Sequence, residues 1–351
     1  MSESRPAPVS DVEWIPVRIG HGALDEPTRI VLERRPVTVA AGLETAIAVA
    51  DSLMRSDGSV TTLWSALSTL AAHDLQCARA AEPHLDAVTI LREAGPAAHP
   101  AAALGRTWGV FAAEGARPRL SAGQNADGWT LTGVKPWCSL ANTLGAALVT
   151  AWVGDSRRLF AVDLRQVGVV ANAEGWHARG LVDIPSGPVT FIDVPAIPVG
   201  EAGWYVERPG FAWGGIGVAA CWYGGAVAIA RTLREWARDG PPTSMVDVHL
   251  GAMDEVLTAS RIALTDAMAT IDSGELIDPG LLAKRVRGIV ARGAEEVIWR
   301  AGHAMGPGPL ATDAPHAQRV ADLQLYIRQH HAERDQESLG RTVRDLGEPP
   351  W

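Results

Sequence analysis

The sequence predicts an α+β protein in three consecutive parts: a helical N-terminal domain, a middle β domain and a C-terminal bundle of about four helices. Three observations carry this prediction. Apolar residues recur at helical spacing from Val37 to Leu91. Between Thr107 and Gly200 the period falls to two, in short runs punctuated by Gly, Asn, Asp and Pro. Beyond Gly200 long Ala- and Gly-rich helical patterns return. Strands segregated from helices argue against a doubly wound sheet. The expected boundaries are a leader over 1–36, the N-terminal helical domain over 37–106, the middle β domain over 107–202 and the helical bundle over 203–351.

Taken in order, the leader is rich in Pro, Arg and Val without a period and reads as loosely packed. "AGLETAIAVADSLMR" opens the helical part, and the stretch from Thr61 to Gly95 continues it in at least two helices. His73, Cys77 and His84 lie there and read as structural. "WTLTGVKPW", "AALVTAWVG", "RRLFAVDLR", "VGVVANAEGW" and "GPVTFIDVPAIPVG" are β-like runs suited to a small barrel or sandwich. A helix from about Gly214 to Arg238 follows, with small residues that let a neighbour approach closely. Two more helical stretches carry stripes through Leu250, Met253, Leu257, Ile262, Met268 and through Leu281, Val286, Ile289, Val290, Val297, Ile298. A fourth helix is expected from about Ala314 onward. His249 reads as a surface residue.

Composition excludes several classes. The net charge is −9 and no basic run reaches five residues, so nucleic acid is not an expected partner. No run of about 18 apolar residues predicts a membrane span. The N-terminus lacks the pattern of a secretory signal. Cys77, Cys138 and Cys221 are odd in number and widely spaced, which fits neither a disulfide framework nor a zinc site and points to the reducing cytoplasm. Metal motifs and a nucleophile elbow are missing, and "GPGPL" at 306–310 follows a helix and spends donors on proline, so it is no phosphate cradle.

The unusual stretch is "GWTLTGVKPWCSLANT", residues 128–143. A hairpin signal at Asp127-Gly128 runs through Lys135 and Pro136 into an indole, a thiol and a hydroxyl in succession. A flavin needs a flat apolar neighbour and a few fixed hydrogen-bonding groups, which Trp137 and Ser139 could supply. Core packing is the competing reading for both. Cys138 between them is expected to point into packing.

This stretch resembles the segment of the acyl-CoA dehydrogenase superfamily in which a glycine-bounded hairpin, a Lys and then Trp-Ile-Thr run past the flavin. Trp137 matches the Trp and Ser139 the Thr. "SGPVTFIDVPAIPVGEAG" resembles the family's strand ending in a Val-Pro and a later Gly, with Phe191, Asp193, Val194, Pro195 and Gly200 in place. "RVADLQLYIRQHHAERD" resembles the last-helix approach to the active site. The resemblance spans roughly residues 40–345. It implies a helical N-terminal domain, a middle β-barrel, a C-terminal four-helix bundle, FAD as cofactor, and a homodimer or homotetramer acting on an acyl thioester or related small molecule.

The sequence also departs from that pattern. In "WGVFAAEGARPRLSA", Glu114 and Gly115 match the family's first flavin segment, but its Thr falls at Ala113. The backbone N–H groups of Ala112 and Ala113 are left as the flavin donors, and the following Gly-Ser-Asp has no counterpart. The family's Arg-x-x-Phe-Gly is absent. Arg300, Gly302 and Gly306 are the candidates near the adenosine half across a dimer interface. The family's catalytic Glu stands eight residues after an Asp, and eight residues after Asp322 stands His330, with His331 beside it. A histidine is a base matched to neutral pH. A His in this region also resembles the flavin monooxygenase branch of the fold. On a helix at most one of the pair would point inward, and a solvated polar helix end is the competing reading. Three functions therefore remain open: a flavin-dependent oxidoreductase acting on a CH–CH group, a flavin-dependent monooxygenase, and a non-catalytic binding or assembly module.

Overall fold

The computed structural model describes residues 15–20, 23–55, 59–115, 119–239, 244–274 and 278–351. Its N-terminal part is helical: α1 (Glu26–Arg34), α2 (Val39–Arg55), α3 (Val60–His73), α4 (Leu75–Glu93) and the single turn α5 (His99–Ala102). Asp25, Ser59 and Asp74 start α1, α3 and α4 by accepting the amide hydrogens of Thr28, Thr61 and Cys77. α1 lies inside the segment read as a loosely packed leader. Tertiary contacts make the difference, because Val17, Ile19 and Val31 are buried in the main core and Arg231 donates to the Ile15 carbonyl at 2.8 Å.

The middle part holds β1 (Trp108–Phe111), β2 (Ser121–Asn125), β3 (Gly128–Lys135), β4 (Ala146–Val153), β5 (Ser156–Asp163), β6 (Val169–Ala171) and β7 (Val189–Val199). The circuit β4-β2-β3-β7-β5 returns to β4, so the sheet closes into a barrel. β1 adds in parallel to β4, and β6 pairs with β7. β2 and β3 form the hairpin expected at Asp127-Gly128, where Gly128 takes φ 126°. Pro136 has no N–H to continue the ladder, and β3 ends at Lys135.

The C-terminal part holds α6 (Trp204–Glu207), α7 (Pro209–Asp239), α8 (Ser244–Asp272), α9 (Pro279–Met305), α10 (Pro307–Thr312), α11 (Ala314–Tyr326) and α12 (Glu333–Arg344). α7 is the central helix and packs on both α3 and α9. Gly224 makes the α3 contact possible, since a Cβ there would lie 2.1 Å from the Ser68 carbonyl oxygen. Among the described residues α7 is also the one helix long and apolar enough to cross a membrane, but 72% of its apolar window is buried inside the fold.

Two sequence expectations change here. The fourth helix is not continuous: α11 stops at Tyr326, one 3₁₀ turn covers Ile327–Gln329, His330 is extended and Ala332 takes φ 47° before α12 begins. The polar run "RQHHAERD" has no apolar stripe to hold a helix against the bundle. His330 and His331 therefore sit in a break between helices rather than on one. His249 is buried rather than exposed, with its ring 6.1 Å from that of Trp299 across α8 and α9. One hydrophobic core runs through all three parts, each buried Leu or Ile in it contributing about 2 kcal/mol. The free thiols Cys77, Cys138 and Cys221 are all buried in it, one in α4, one past β3 and one in α7.

Candidate functional site

The break after α11 faces a cavity of about 420 Å³ bounded by α4, α6, α7 and α9. His330 is buried on its wall, while His331 is mostly exposed, its side chain retaining 62% of its accessible surface. His330 Nδ1 accepts the Ala332 amide hydrogen at 3.2 Å. A neutral ring held this way carries its proton on Nε2. That Nε2 stands 3.7 Å from Asp335 Oδ2, and Asp335 also accepts the His331 amide at 3.0 Å. Burial lowers the His330 pKa below the usual histidine value. Asp335 opposes the shift, and Arg287 and Arg292 reinforce it. The ring is thus neutral at pH 7.

Charged residues that the sequence reading passed over line the same cavity. Glu82 and Asp86 lie one turn apart on α4 and face it together. Burial raises Glu82 to about 7 and Asp86 to about 6, against the pull of Arg79 and Arg208 respectively. Arg287 of α9 reaches across, donating to the carbonyls of Gly215 at 2.5 Å and Gln329 at 3.1 Å, with its guanidinium 4.8 Å from the Trp222 ring centre. It thereby ties α7 to the residue preceding His330. The available signal was small: two acids spaced by four on α4, and an arginine inside the stripe of Val286 and Val290.

A polar chain leads from this cavity to the loop after β3. Arg79 pairs with Glu82 at 3.1 Å and donates to Ser139 Oγ at 2.9 Å. Ser139 Oγ lies 2.8 Å from Ser186 Oγ, which itself donates to the Ile184 carbonyl at 3.0 Å. Ser139 is therefore the donor to Ser186 and keeps one free lone pair. Cys138 is buried as expected, donating to the Lys135 carbonyl at 3.3 Å, although the strand has ended at Lys135 and neighbouring Ser139 is buried too, so no alternation places it there. Trp137 takes φ 60° and leaves 62% of its surface exposed. Beside this loop Gly115 approaches Pro136 so closely that a Cβ would meet its ring at 3.0 Å. Ala112 is half-buried, Ala113 is exposed, and the Ala113 amide has no acceptor among the described residues. Glu114 is fixed by buried Lys135, which donates to it at 2.8 Å and to Thr150 at 2.9 Å.

The remaining sequence candidates lie apart from this group. Arg300 pairs with Glu296 at 2.6 Å on α9 and lies 5.4 Å from the Trp299 ring centre. Gly306 ends α9 with φ 67° and open space where a Cβ would be. The structure thus brings Trp137, Ser139, Ala112 and Ala113 to one edge of the barrel, connects that edge to the His330 cavity, and leaves Arg300 and Gly306 at the far end of α9.

No protein-family profile and no curated protein sequence matches the chain. Solved structures do. The dibenzothiophene monooxygenase TdsC from Paenibacillus sp. A11-2 superposes with TM-score 0.76 at 18% identity, over 94% of this chain and 99% of that one. The butyryl-CoA dehydrogenase of Megasphaera elsdenii gives TM-score 0.77 at 16% identity, over 92% and 99%. The fold is that of the acyl-CoA dehydrogenases. KijD3 in complex with dTDP shares this acyl-CoA dehydrogenase fold, with TM-score 0.74 at 17% identity over 93% and 99%. TdsC is known in an FMN-bound form, with TM-score 0.77 to this chain. The expected three-part architecture, including the barrel, is the one observed.

Proposed function

We propose that the protein is a flavin-dependent oxidoreductase whose substrate occupies the cavity at His330. The observation that carries this reading is the buried, neutral imidazole eight residues after Asp322, on the wall of a cavity that Glu82 also lines, with Glu82 joined through Arg79 to Ser139. The barrel edge fits a flavin: an indole face open to contact, an unmatched Ala113 donor, and a Ser139 lone pair suited to a ring N–H. A bound flavin supplies two-electron oxidation or, once reduced, reaction with O₂. Trp137, Ser139, Ala112 and Ala113 would hold its ring, with Arg300 and Gly306 serving the distal half across a subunit interface. The flavin assigned is FAD, and the assembly a cytoplasmic homodimer or dimer of dimers.

Oxidation of a CH–CH group in an acyl thioester or related small molecule requires a proton acceptor, and His330 takes the place of the usual Glu. In that role Nδ1 must release the Ala332 amide. A second reading is favoured by the ring as it stands. Its Nε2–H is a donor already formed, and a donor serves flavin-dependent monooxygenation; TdsC is named a monooxygenase and is known with FMN bound.

The deciding experiment begins with the visible absorbance of the purified protein, fresh and after incubation with FAD or FMN and gel filtration. A retained flavin spectrum that changes in Trp137→Ala supports the reading, and a colourless protein under all conditions refutes it. Bleaching by substrate alone without O₂ then identifies a dehydrogenase, whereas dependence on a separate reductant and O₂ identifies a monooxygenase.

A further inference from the structure

A second cavity, about 400 Å³, adjoins the first between α2, α3, α4 and α7. Its walls are mostly apolar, with Leu53, Leu63, Trp64, Leu85, Val88 and Trp213, and Arg92 and Glu93 also line it. The two cavities share Glu82, Asp86 and Gly214. Two carboxylates therefore stand where an apolar chamber opens into the chamber of His330.

Acids and bases both line the two chambers: Arg92, Arg208, Lys284 and Arg287 face them beside the carboxylates. Glu82 is matched by Arg79 at 3.1 Å, and Glu93 takes the Arg208 guanidinium at 2.5 Å. Asp86 makes no ion pair or hydrogen bond among the described residues. It has room because α7 carries glycine opposite it, where a Cβ would lie 2.8 Å from Asp86 Oδ1. The chamber also contains a donor, the Trp213 indole nitrogen, that is buried without an acceptor among the described residues. Burial of this carboxylate at the rim of the chamber carries a desolvation cost that the nearby Arg208 offsets only in part. A protonated nitrogen placed against it would remove that cost through a charge-assisted hydrogen bond. An acyl thioester would instead bring a carbonyl acceptor toward the carboxylate, which repels it.

We infer that the two chambers form one substrate site built for a small amine. Its apolar, ring-sized body occupies the chamber between α2, α3, α4 and α7, its ammonium group binds Asp86, and its reacting position lies in the chamber of His330. This assignment rests on the flavin-dependent reading of the same site and puts an amine in place of the acyl thioester as its substrate. Asp86 is a specificity residue here, and Gly214 is the position that keeps its carboxylate open.

The test is calorimetric titration of the flavin-loaded protein at pH 7.5 with 2-phenylethylamine and its neutral isostere 2-phenylethanol. The amine should bind at least about tenfold more tightly, as a charge-assisted bond in a desolvated site requires. Asp86→Asn should abolish that preference and leave the alcohol's affinity unchanged. Leu63→Trp, which fills the apolar chamber, should weaken both ligands. Equal affinity for the two probes, no heat from the amine, or an amine preference that survives in Asp86→Asn overturns the assignment. The wild-type comparison decides the matter even where a variant fails to fold. Visible spectra of the same samples separate the two layers of the argument. Retained flavin with no amine preference removes the substrate assignment alone, whereas loss of flavin binding removes the functional reading while the titration still reports on the cavity.

Discussion

Single side chains set the proton chemistry. His330 is held neutral by burial and by the nearby Arg287 and Arg292, with Asp335 pulling the other way. A step that needs the neutral ring should therefore persist below the usual histidine pKa, and Asp335→Asn should move the acid limb of the rate profile to still lower pH, because removing the carboxylate further disfavours the imidazolium. A limb that moves upward instead would show that Asp335 does not act on this ring. His330→Gln should lower turnover by about 10²-fold or more, with the flavin spectrum intact. His84 gives a stability test in the same terms. It is buried on α4, its Nδ1 has no partner, and burial lowers its pKa to about 4 despite Asp51. The unfolded chain binds a proton below about 6.5 that the native state refuses until about 4, so this site loses stability as pH falls through that window. His84→Leu should remove the loss, so that the variant's advantage over wild type grows by up to about 3 kcal/mol between those limits, measured by urea unfolding at several pH values.

At the scale of elements, α7 meets α3 at backbone contact. Gly224→Ala should drive a methyl into the Ser68 carbonyl and cost about 1–3 kcal/mol, read as a lower urea midpoint at unchanged slope. The positions of the helices and the period-two strands were legible in the sequence because their apolar spacing reports one buried face. The turn at Asp127-Gly128 was legible for a different reason, the backbone freedom of glycine. What stayed hidden depends on contacts distant in sequence. The burial that turns 26–34 into α1 comes from the core, and nothing local marks His330 as extended. Trp137 and Ser139 stood out because their types are unusual after a strand. Glu82, Asp86 and Arg287 did not, since charged residues on helices ordinarily face water. Their inward direction follows from the way α4, α7 and α9 surround a cavity. Pro83 adds to this locally, since it removes the amide that would bond to the Arg79 carbonyl one turn before.

At the scale of the whole molecule, the proposed flavin site places Arg300 and Gly306 at the far end of α9, remote from the barrel edge that bears Trp137. A single ligand served by both sets requires two subunits, so sedimentation should give a dimer or tetramer, and a monomer that retains flavin would exclude Arg300 and Gly306 from its site. The burial of the three thiols has a practical consequence. Each part of the chain contains one cysteine, and burial pushes all three thiol pKa values upward, Cys138 to about 12. A native molecule should thus be silent to a thiol alkylating reagent. Under mild denaturant, the order in which Cys77, Cys138 and Cys221 become labelled, followed by mass spectrometry, would time the opening of helical domain, barrel and bundle separately, with no label engineered into the chain.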